Sequence, residues 1–441
     1  MNKPFLFKSV DIAPLAIFRI LMGLLMAAEG FGAILTGWVR VNYVERDFTF
    51  NFIGFDFLQI IVGPQAYVLY SLLGVFGLLI AAGYRYRLAI LGYTFLWAMV
   101  YLGQKTSYNN HYYLLLLMCF LFILVPANRY ASLDVKQGRV EKSQTTPYWT
   151  IWIFKALLLI VYIYAAIAKL YPDWLNGSAV GIFLSNKSDW PILGAVADKD
   201  WFIMLLSFGG IAFDLLIIPA LWFKPTRKVA FVISIFFHLF NSIVFHIGIF
   251  PYMMLITSVL FFDEAFIRKL FFKNIIEIDE EKPMKYLPKK RVYSLLIPFF
   301  TLMLLLPLRP FYFPGSSHWT EQGHRLSWHM MLRAKYGTIY FKVKNIETQK
   351  TDIIIPKDKM WDKAARKLAT RPDMTWQYAQ KLKKEYNQKG MDVEIYAHCL
   401  ASLNGRELTR LIDPKVDLAS VGWNYFNHNE WILLHPDLED F

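Results

Sequence analysis

The sequence contains very few cysteines, and this limits the kinds of protein it can encode. Only Cys119 and Cys399 are present among 441 residues, one in an apolar run and one in the polar C-terminal part. Two distant thiols supply neither a disulfide framework nor a thiolate metal cage. Because the first lies in a predicted membrane span, we do not expect the two to pair.

Motifs of several common enzyme classes are also missing. The chain has no glycine-rich phosphate loop, no Gly-x-Ser-x-Gly elbow and no paired catalytic carboxylate motif. Nucleotide-driven transport and serine hydrolysis therefore have no residues to act through.

Apolar runs, by contrast, are abundant. Hydrophobic residues make up 56% of the chain and aromatic residues 17%, which is typical of an integral membrane protein in the lipid bilayer. We predict a mainly α membrane protein, a polytopic bundle of about nine transmembrane helices, with spans near 13–36, 66–83, 88–104, 112–125, 149–168, 202–222, 229–245, 250–262 and 293–307. The first span carries Arg19 and Glu29, so we interpret it as a retained helix and not as a cleaved signal.

Acidic residues are fewer than basic ones, 34 against 47, which gives a net charge of +13. An excess of this size can indicate nucleic-acid binding. Here, however, the basic residues are concentrated in every second loop between the predicted spans, that is, on one side of the membrane. That is the positive-inside pattern, with the N-terminus in the cytoplasm and the C-terminal region outside it. The charge therefore describes topology, and we predict no nucleic-acid partner.

The polarity of the chain changes near residue 310, where Pro307, Pro310 and Pro314 follow the last span. Residues 337–344 and 352–355 alternate like strands, residues 373–388 form an amphipathic helical pattern, and residues 393–403 return to a strand before the turn at 404–405. We predict a transmembrane domain over 1–308 and an extracytoplasmic α+β or β-sandwich-like domain over 309–441.

The most informative side chain is Lys169, at the end of an apolar run in the sequence Tyr-Ala-Ala-Ile-Ala-Lys-Leu-Tyr-Pro-Asp-Trp. Poor solvation of an amine at the mouth of a membrane helix makes a neutral, basic form accessible, and ionisable groups at such depth are costly. The alternative is a lysine that snorkels and only marks the helix end.

Two further polar clusters are predicted at a similar depth: residues 108–111 and the group His238, Asn241, Ser242 and His246. The spacing places His238, Asn241 and His246 on a similar helix face. Together with Lys169 they suggest a hydrogen-bonded pocket for a polar headgroup with an apolar tail. Taken singly, a histidine in a membrane helix is more often a packing or helix-bridging residue than a catalytic one. A histidine pair could also bind a metal, but no His-x-x-Glu-His or similar set accompanies it, so we predict none.

The other charges predicted within spans also need partners. Arg19, Glu29 and Lys155 are interpreted as inter-helix pairs, whereas Asp214 is left open as a charge that supports the site.

Several sequence blocks, in order along the chain, resemble the vitamin K-dependent γ-glutamyl carboxylase family. They are Asn109-Asn110-His111, residues 168–177 (Ala-Lys-Leu-Tyr-Pro-Asp-Trp-Leu-Asn-Gly), residues 237–242 with 247–250, residues 323–331 (Gly-His-Arg-Leu-Ser-Trp-His-Met-Met), residues 402–406 and residues 412–417. The membrane part also resembles the wider horizontally transferred transmembrane domain group. Together the blocks indicate this family specifically, whereas any one of them alone would be weak evidence for it.

The resemblance implies a carboxy-lyase reaction. A reduced vitamin K, a naphthohydroquinone, is deprotonated and reacts with O2; the strongly basic product removes a γ-proton from peptide glutamate, and CO2 adds to give γ-carboxyglutamate and quinone epoxide. It also implies partners: a glutamate-containing peptide or protein, the quinone and the lipid bilayer. Chain size and composition favour a bacterial member in the inner membrane, with menaquinol as the reductant.

The resemblance further assigns roles to individual residues. Lys169 would ionise the hydroquinone, and His111 would stabilise the glutamyl carbanion, with His238 also in the catalytic group. Quinone-binding positions would be Asn110, Asn241, Trp174, Met330 and Met331. Ser327, Trp328 and His329 would line the substrate pocket and close it against water, because any nearby proton source quenches a carbanion.

The sequence departs from the animal enzymes in that Ala168 stands where those enzymes have a second lysine. Two alternatives stay open. One is a quinol epoxidase or monooxygenase without peptide carboxylation, and the other is a non-enzymatic membrane interaction protein built on the same helical domain.

Overall fold

The apolar runs of the sequence form helices, which account for most of the secondary structure. In the computed structural model, which describes residues 4–272 and 286–438, six helices are long and apolar enough to cross a membrane. They are Ala13–Leu35, Gln65–Ala82, Trp149–Ile167, Asp200–Trp222, Arg227–Phe245 and Lys289–Tyr312. A seventh crossing is reached if Phe250–Phe261 and Glu264–Phe271, bent by 116° at their junction, together form one span.

The prediction of about nine spans is therefore not confirmed. Two of the predicted spans correspond to the helices Tyr86–Gly103 and Asn110–Leu124, which are not among the six. The second has only 15 residues, fewer than the roughly 20 that a bilayer of about 30 Å requires. It begins after the Asn109 cap, whose side chain accepts from the Tyr112 amide at 2.7 Å, and ends before Pro126.

By its contacts the chain divides into two compact units. Unit 1 comprises Met1–Tyr162 and Leu215–Thr301, and unit 2 comprises Ile163–Asp214 and Leu302–Phe441. This division follows spatial contact and not the order of the sequence. The boundary predicted between residues 308 and 309 stays a prediction.

Unit 1 is held together by close helix packing and by buried charges. Glycines on the helices Ala13–Leu35 and Gln65–Ala82 let their backbones touch; a Cβ added at Gly30 would lie 2.6 Å from the Gly74 nitrogen. Small residues at such crossings are the usual means of close approach in membranes. Two short strands, β1 (Ser9–Asp11) and β2 (Thr145–Pro147), pair antiparallel.

Two of the three charges that the sequence assigns to inter-helix pairs, Arg19 and Glu29, have hydrogen-bond partners on other segments of the unit. Arg19 is fully buried and donates to four carbonyls, those of Ala81, Ala127, Tyr130 and Ala131. Glu29 accepts from the Tyr112 hydroxyl at 2.5 Å. These two charges therefore link the first helix to other segments of the unit.

Unit 2 contains the C-terminal sheet, whose strands are β3 (Lys335–Asn345), β4 (Thr351–Ile354), β5 (Val393–Leu403) and β6 (Thr409–Arg410). The sheet is antiparallel, and its strands lie in the order β4-β3-β5-β6. The helix Pro372–Asn387 packs on β5, and the helix Asp362–Leu368 contacts β3. The predicted strands and helix are confirmed, and since the described part of this unit holds one sheet with helices on it, the arrangement is α+β and not sandwich-like.

The remaining helical segments of the described chain are short. They are Leu133–Lys136, Pro172–Leu175, Ser178–Ser185 and Ser317–Thr320 as α-helical turns, with short 3-10 or π segments at Phe5–Phe7, Arg40–Val44, Asp56–Ile61, Lys105–Ser107 and Pro356–Asp358. Both cysteines are buried free thiols.

Candidate functional site

Lys169 lies two residues beyond the helix Trp149–Ile167, where the chain leaves the helical path. Its amine forms an ion pair with Asp214, a residue of the helix Asp200–Trp222, and also donates to the Ala165 carbonyl at 3.3 Å. The Lys169 side chain is 11% exposed and that of Asp214 is 8% exposed. A snorkelling lysine would reach water, so the burial and the carboxylate partner favour a built site.

Trp174 forms part of the surroundings of this amine. The Lys169 nitrogen lies 5.5 Å from the centroid of the Trp174 ring, within the range of a cation–π contact. The indole N–H donates to the Ser207 carbonyl at 2.9 Å, which fixes the ring against the helix that carries Asp214. One face of the lysine is therefore aromatic and another is anionic.

The segment after Lys169 is fastened to the C-terminal sheet within the same unit. Asp173 is buried and accepts from Arg406 at 2.5 and 2.7 Å and from Asn404 at 2.7 Å. Burial alone would raise the pKa of Asp173, but the hydrogen bonds from Arg406 and Asn404 lower it below its ordinary value. Asn404 and Gly405 have φ of 49° and 80°, the conformation of a tight turn that follows β5. Two sequence blocks more than two hundred residues apart thus meet directly.

The block 327–331 lies in unit 2 and has an unusual backbone. Leu326, Trp328 and Met331 have φ of 66°, 61° and 50°, a left-handed conformation that is uncommon for such side chains and often accompanies functional sites. Ser327 is buried and donates to the His324 carbonyl at 2.5 Å, while Met331 is 38% exposed. The block is therefore a bend that is fixed by a buried hydrogen bond and by its left-handed backbone conformations.

A row of rings connects this block to the Lys169 segment. The His329 ring lies 5.2 Å from that of His318, and the His318 ring lies 4.4 Å from that of Tyr171. Burial lowers the pKa of His329 to about 3, with a further contribution from Arg333, so this imidazole is neutral at ordinary pH. No sequence pattern identified His318 as a neighbour of the Lys169 segment.

The predicted site residues in unit 1 gather around one aromatic ring. The centroid of Phe250 lies 6.0 Å from that of His111 and 6.0 Å from that of His238. His238 is buried, and its Nε2 lies 3.1 Å from the Tyr162 hydroxyl. Asn110 accepts from the Tyr108 hydroxyl at 3.1 Å. Two imidazoles from different helices therefore flank the same phenyl group.

The predicted shared face of His238, Asn241 and His246 is wrong in part. The Asn241 amide donates to the Phe237 carbonyl of its own helix at 2.8 Å. His246 is exposed and ends the helix with φ of 53°. Because the helical spacing stops there, His246 does not continue the face that His238 occupies.

Matches to two family models cover most of the chain. The model described as HTTM domain matches residues 7–266, and the model described as vitamin K-dependent gamma-carboxylase, lumenal domain, matches residues 288–437. The chain belongs to the vitamin K-dependent γ-glutamyl carboxylase family. No solved structure matches it.

Membership of the carboxylase family implies a vitamin K-dependent, carboxylase-like function in an integral membrane protein. The residues around Lys169 fit a quinol headgroup, since a largely buried amine, a buried carboxylate and an indole meet there. Within residues 4–272 and 286–438, no group of three or more His, Cys, Asp or Glu side chains is placed to hold a metal ion.

The structure thus assigns the predicted site residues to two groups. Lys169, Trp174, Ser327, Trp328, His329, Met330 and Met331 belong to unit 2, and Asn110, His111, His238 and Asn241 belong to unit 1. Sequence reasoning left the role of Asp214 open and missed His318 and the Asp173–Arg406 contact. The one signal that pointed towards Arg406 was the resemblance of residues 402–406 to the carboxylase family.

Proposed function

We propose that this protein is a vitamin K-dependent γ-glutamyl carboxylase, a carboxy-lyase that converts peptide glutamate to γ-carboxyglutamate with reduced quinone, O2 and CO2 and releases quinone epoxide. The observation that carries the proposal is the Lys169 amine, buried beside Asp214 in a sequence block shared with the family. A general base must be held where water does not compete for its lone pair.

In this proposal each group of residues has a separate task. Lys169 takes the proton of the quinol hydroxyl, and Trp174 packs against the amine. His111 stabilises the glutamyl carbanion, and His238 belongs to the same catalytic group. The quinol, once bound, supplies the reducing equivalents for oxygen chemistry; the protein binds it, moves its proton and keeps water away.

Positions that orient the two substrates complete the proposal. Asn110, Asn241, Met330 and Met331 contact the quinone, and Ser327, Trp328 and His329 line the peptide pocket. We place the protein in a bacterial inner membrane with its C-terminal region outside the cytoplasm and menaquinol as its reductant. The peptide partner is then a secreted or membrane-bound protein.

The test uses the full chain purified in detergent, with a reduced naphthoquinone, O2, a glutamate-containing peptide and labelled bicarbonate. We expect label in the peptide and epoxide in the quinone fraction, and both products lost in Lys169→Ala. Lys199→Ala, an exposed lysine of the same unit, is the matched control and should behave as the native chain. Comparing menaquinol with phylloquinol identifies the reductant.

A second variant separates carboxylation from epoxide formation. His111→Ala should lose peptide label by about 10²-fold or more, as expected for one catalytic group, while epoxide is still formed. His246→Asn, which keeps the left-handed conformation of that exposed position, is the control. Epoxide without label in the native protein would favour a quinol epoxidase. The absence of both products with several quinols and peptides would contradict the enzymatic proposal and favour a membrane interaction protein.

A further inference from the structure

The ion pair between Lys169 and Asp214 raises a problem for proton transfer. An ammonium that is paired with a carboxylate already carries its proton, so it cannot accept another from a quinol hydroxyl. Within the described chain, Asp214 is the only acid that bonds the Lys169 amine, and Lys169 is the only charged group that acts on Asp214. Whatever frees the amine must therefore happen within this pair.

Burial of both side chains offers the solution. In a medium of low polarity two separated charges are costly, and moving one proton from the ammonium to the carboxylate removes both. The transfer distance is that of an existing hydrogen bond, so no rearrangement of the chain is needed. The result is a neutral amine beside a neutral carboxylic acid.

We infer that Lys169 and Asp214 form one proton-accepting unit, in which Asp214 takes a proton from the Lys169 amine and so lets that amine accept the proton of a quinol hydroxyl. The inference rests on the proposed function and adds a residue to it. Asp214 is a positioning residue, because it acts through Lys169 and does not itself touch the quinol.

The step balances in protons and electrons. One Nζ–H bond of Lys169 breaks and an Oδ2–H bond of Asp214 forms. The quinol O–H bond then breaks, a new Nζ–H bond forms, and the electron pair stays on the quinol oxygen. No oxidation occurs in this step. The pair ends with one positive charge on the amine, which faces the negative oxygen that it has created.

Other contacts of the amine agree with this role. Of its three N–H positions, two have acceptors in the described chain, Asp214 and the Ala165 carbonyl. The third position has no protein acceptor there and is the one available to substrate. The Trp174 ring fills the space beside the amine with a surface that offers no competing proton acceptor.

The first test measures the rate of epoxide formation in variants of Asp214. Asn has the same size and still accepts a hydrogen bond from the amine, but it cannot take a proton. We expect the native rate to vary little with pH, because the pair carries no net charge and moves its proton internally. The rate of Asp214→Asn should fall about tenfold for each pH unit below the pKa of its lone amine, because that amine accepts the quinol proton only where it has lost its own, and Asp214→Glu should restore the native profile. Asp198→Asn, an exposed acid of the same unit, should have no effect. The native pH profile in Asp214→Asn would overturn the inference, since it would show that no proton is held by the carboxylate.

The second test needs no turnover, and its deciding measurement is made on the native protein. Menaquinol is added to the native protein without O2, and infrared difference spectra are recorded together with the optical signal of bound quinol. We expect the carbonyl stretch of a protonated carboxylic acid to appear on binding and to be absent in Asp214→Asn. Bound quinol without that band would overturn the inference and leave the proposed function intact. If no quinol binds at all, the proposed function fails and the inference with it.

Discussion

Glu321 is a buried carboxylate of unit 2 that accepts from several basic side chains. Its side chain is 3% exposed; it pairs with Arg371, accepts from Arg333 at 2.9 Å, and lies 3.5 Å from the Lys335 amine. Burial alone would raise the pKa of Glu321, but Arg333 and Arg371 bring it well below its ordinary value. One negative charge thus holds three positive ones in a part of the fold that contains no predicted span.

Glu321→Gln should therefore destabilise the protein strongly. The amide removes the negative charge that these three basic side chains share, and breaking a buried pair from one side costs about 3–5 kcal/mol. We expect a lower unfolding temperature for the detergent-solubilised full chain. Glu347→Gln, at an exposed turn between β3 and β4, should leave it unchanged, and equal unfolding temperatures for the two variants would contradict the prediction.

The same carboxylate predicts how stability depends on pH. Because the folded pKa lies below the ordinary value, Glu321 contributes stability above the unfolded pKa of about 4.3 and loses it as pH falls through the folded pKa. Burial lowers the pKa of the neighbouring Lys335 to about 7, and Glu321 favours its protonated form. The difference between the native chain and Glu321→Gln should therefore not shrink as pH falls through neutrality, and should shrink only in acid. A difference that shrinks already between pH 8 and 6 would assign the effect to another group.

At the scale of elements, the packing of Ala13–Leu35 on Gln65–Ala82 depends on glycines that the sequence does not distinguish from one another. Gly30 and Gly32 lie in the same helix, yet a Cβ at Gly30 would meet the Gly74 backbone, whereas a Cβ at Gly32 would meet nothing within 4 Å. Only the first is needed for close approach of the helices.

Gly30→Leu should separate the two helices, and Gly32→Leu should not. Overpacking of a tight contact costs about 1–3 kcal/mol, occasionally more, and here it pushes on backbone that cannot move aside. We expect Gly30→Leu to lower the yield of monodisperse protein and its unfolding temperature in detergent. Similar behaviour of both leucine variants would show that leucine itself, and not the crossing, is responsible.

Elements with local signals could be predicted from the sequence. The alternation over 337–344 and 393–403 and the Asn404-Gly405 turn specify β3 and β5 without reference to the rest of the chain, since side chains alternate with a period of two and turns need particular residues. The number of spans could not, because a run of apolar residues does not reveal the 116° bend after Phe261.

The candidate site shows the same division. The position of Lys169 at the end of an apolar run marked it as unusual. Its partner could not be identified, because Asp214 is 45 residues away on another helix and their contact depends on how the two helices pack. The Asp173–Arg406 contact spans 233 residues, so only the fold or a resemblance could connect them.

For the whole molecule, the side of the membrane reached by the C-terminal region depends on the parity of the crossings. The consecutive helices Tyr86–Gly103 and Asn110–Leu124 form a pair, so counting both or neither leaves the parity unchanged. The bent pair Phe250–Phe261 and Glu264–Phe271 decides it: seven crossings, like the predicted nine, place the two ends of the chain on opposite sides, and six place them on the same side.

The distribution of lysine and arginine favours an odd number, with the C-terminal region outside. Glu347→Cys and Glu141→Cys, both at exposed positions of a chain whose two native thiols are buried, allow a direct measurement in right-side-out membrane vesicles. An impermeant thiol reagent should label position 347 in intact vesicles and position 141 only after they are opened, because the loop before Trp149 is predicted to face inward. Labelling of both positions in intact vesicles would mean an even number of crossings between 141 and 347. In that case the bent pair enters and leaves on one side, and a peptide substrate would have to reach the C-terminal region from the same side as the loop before Trp149.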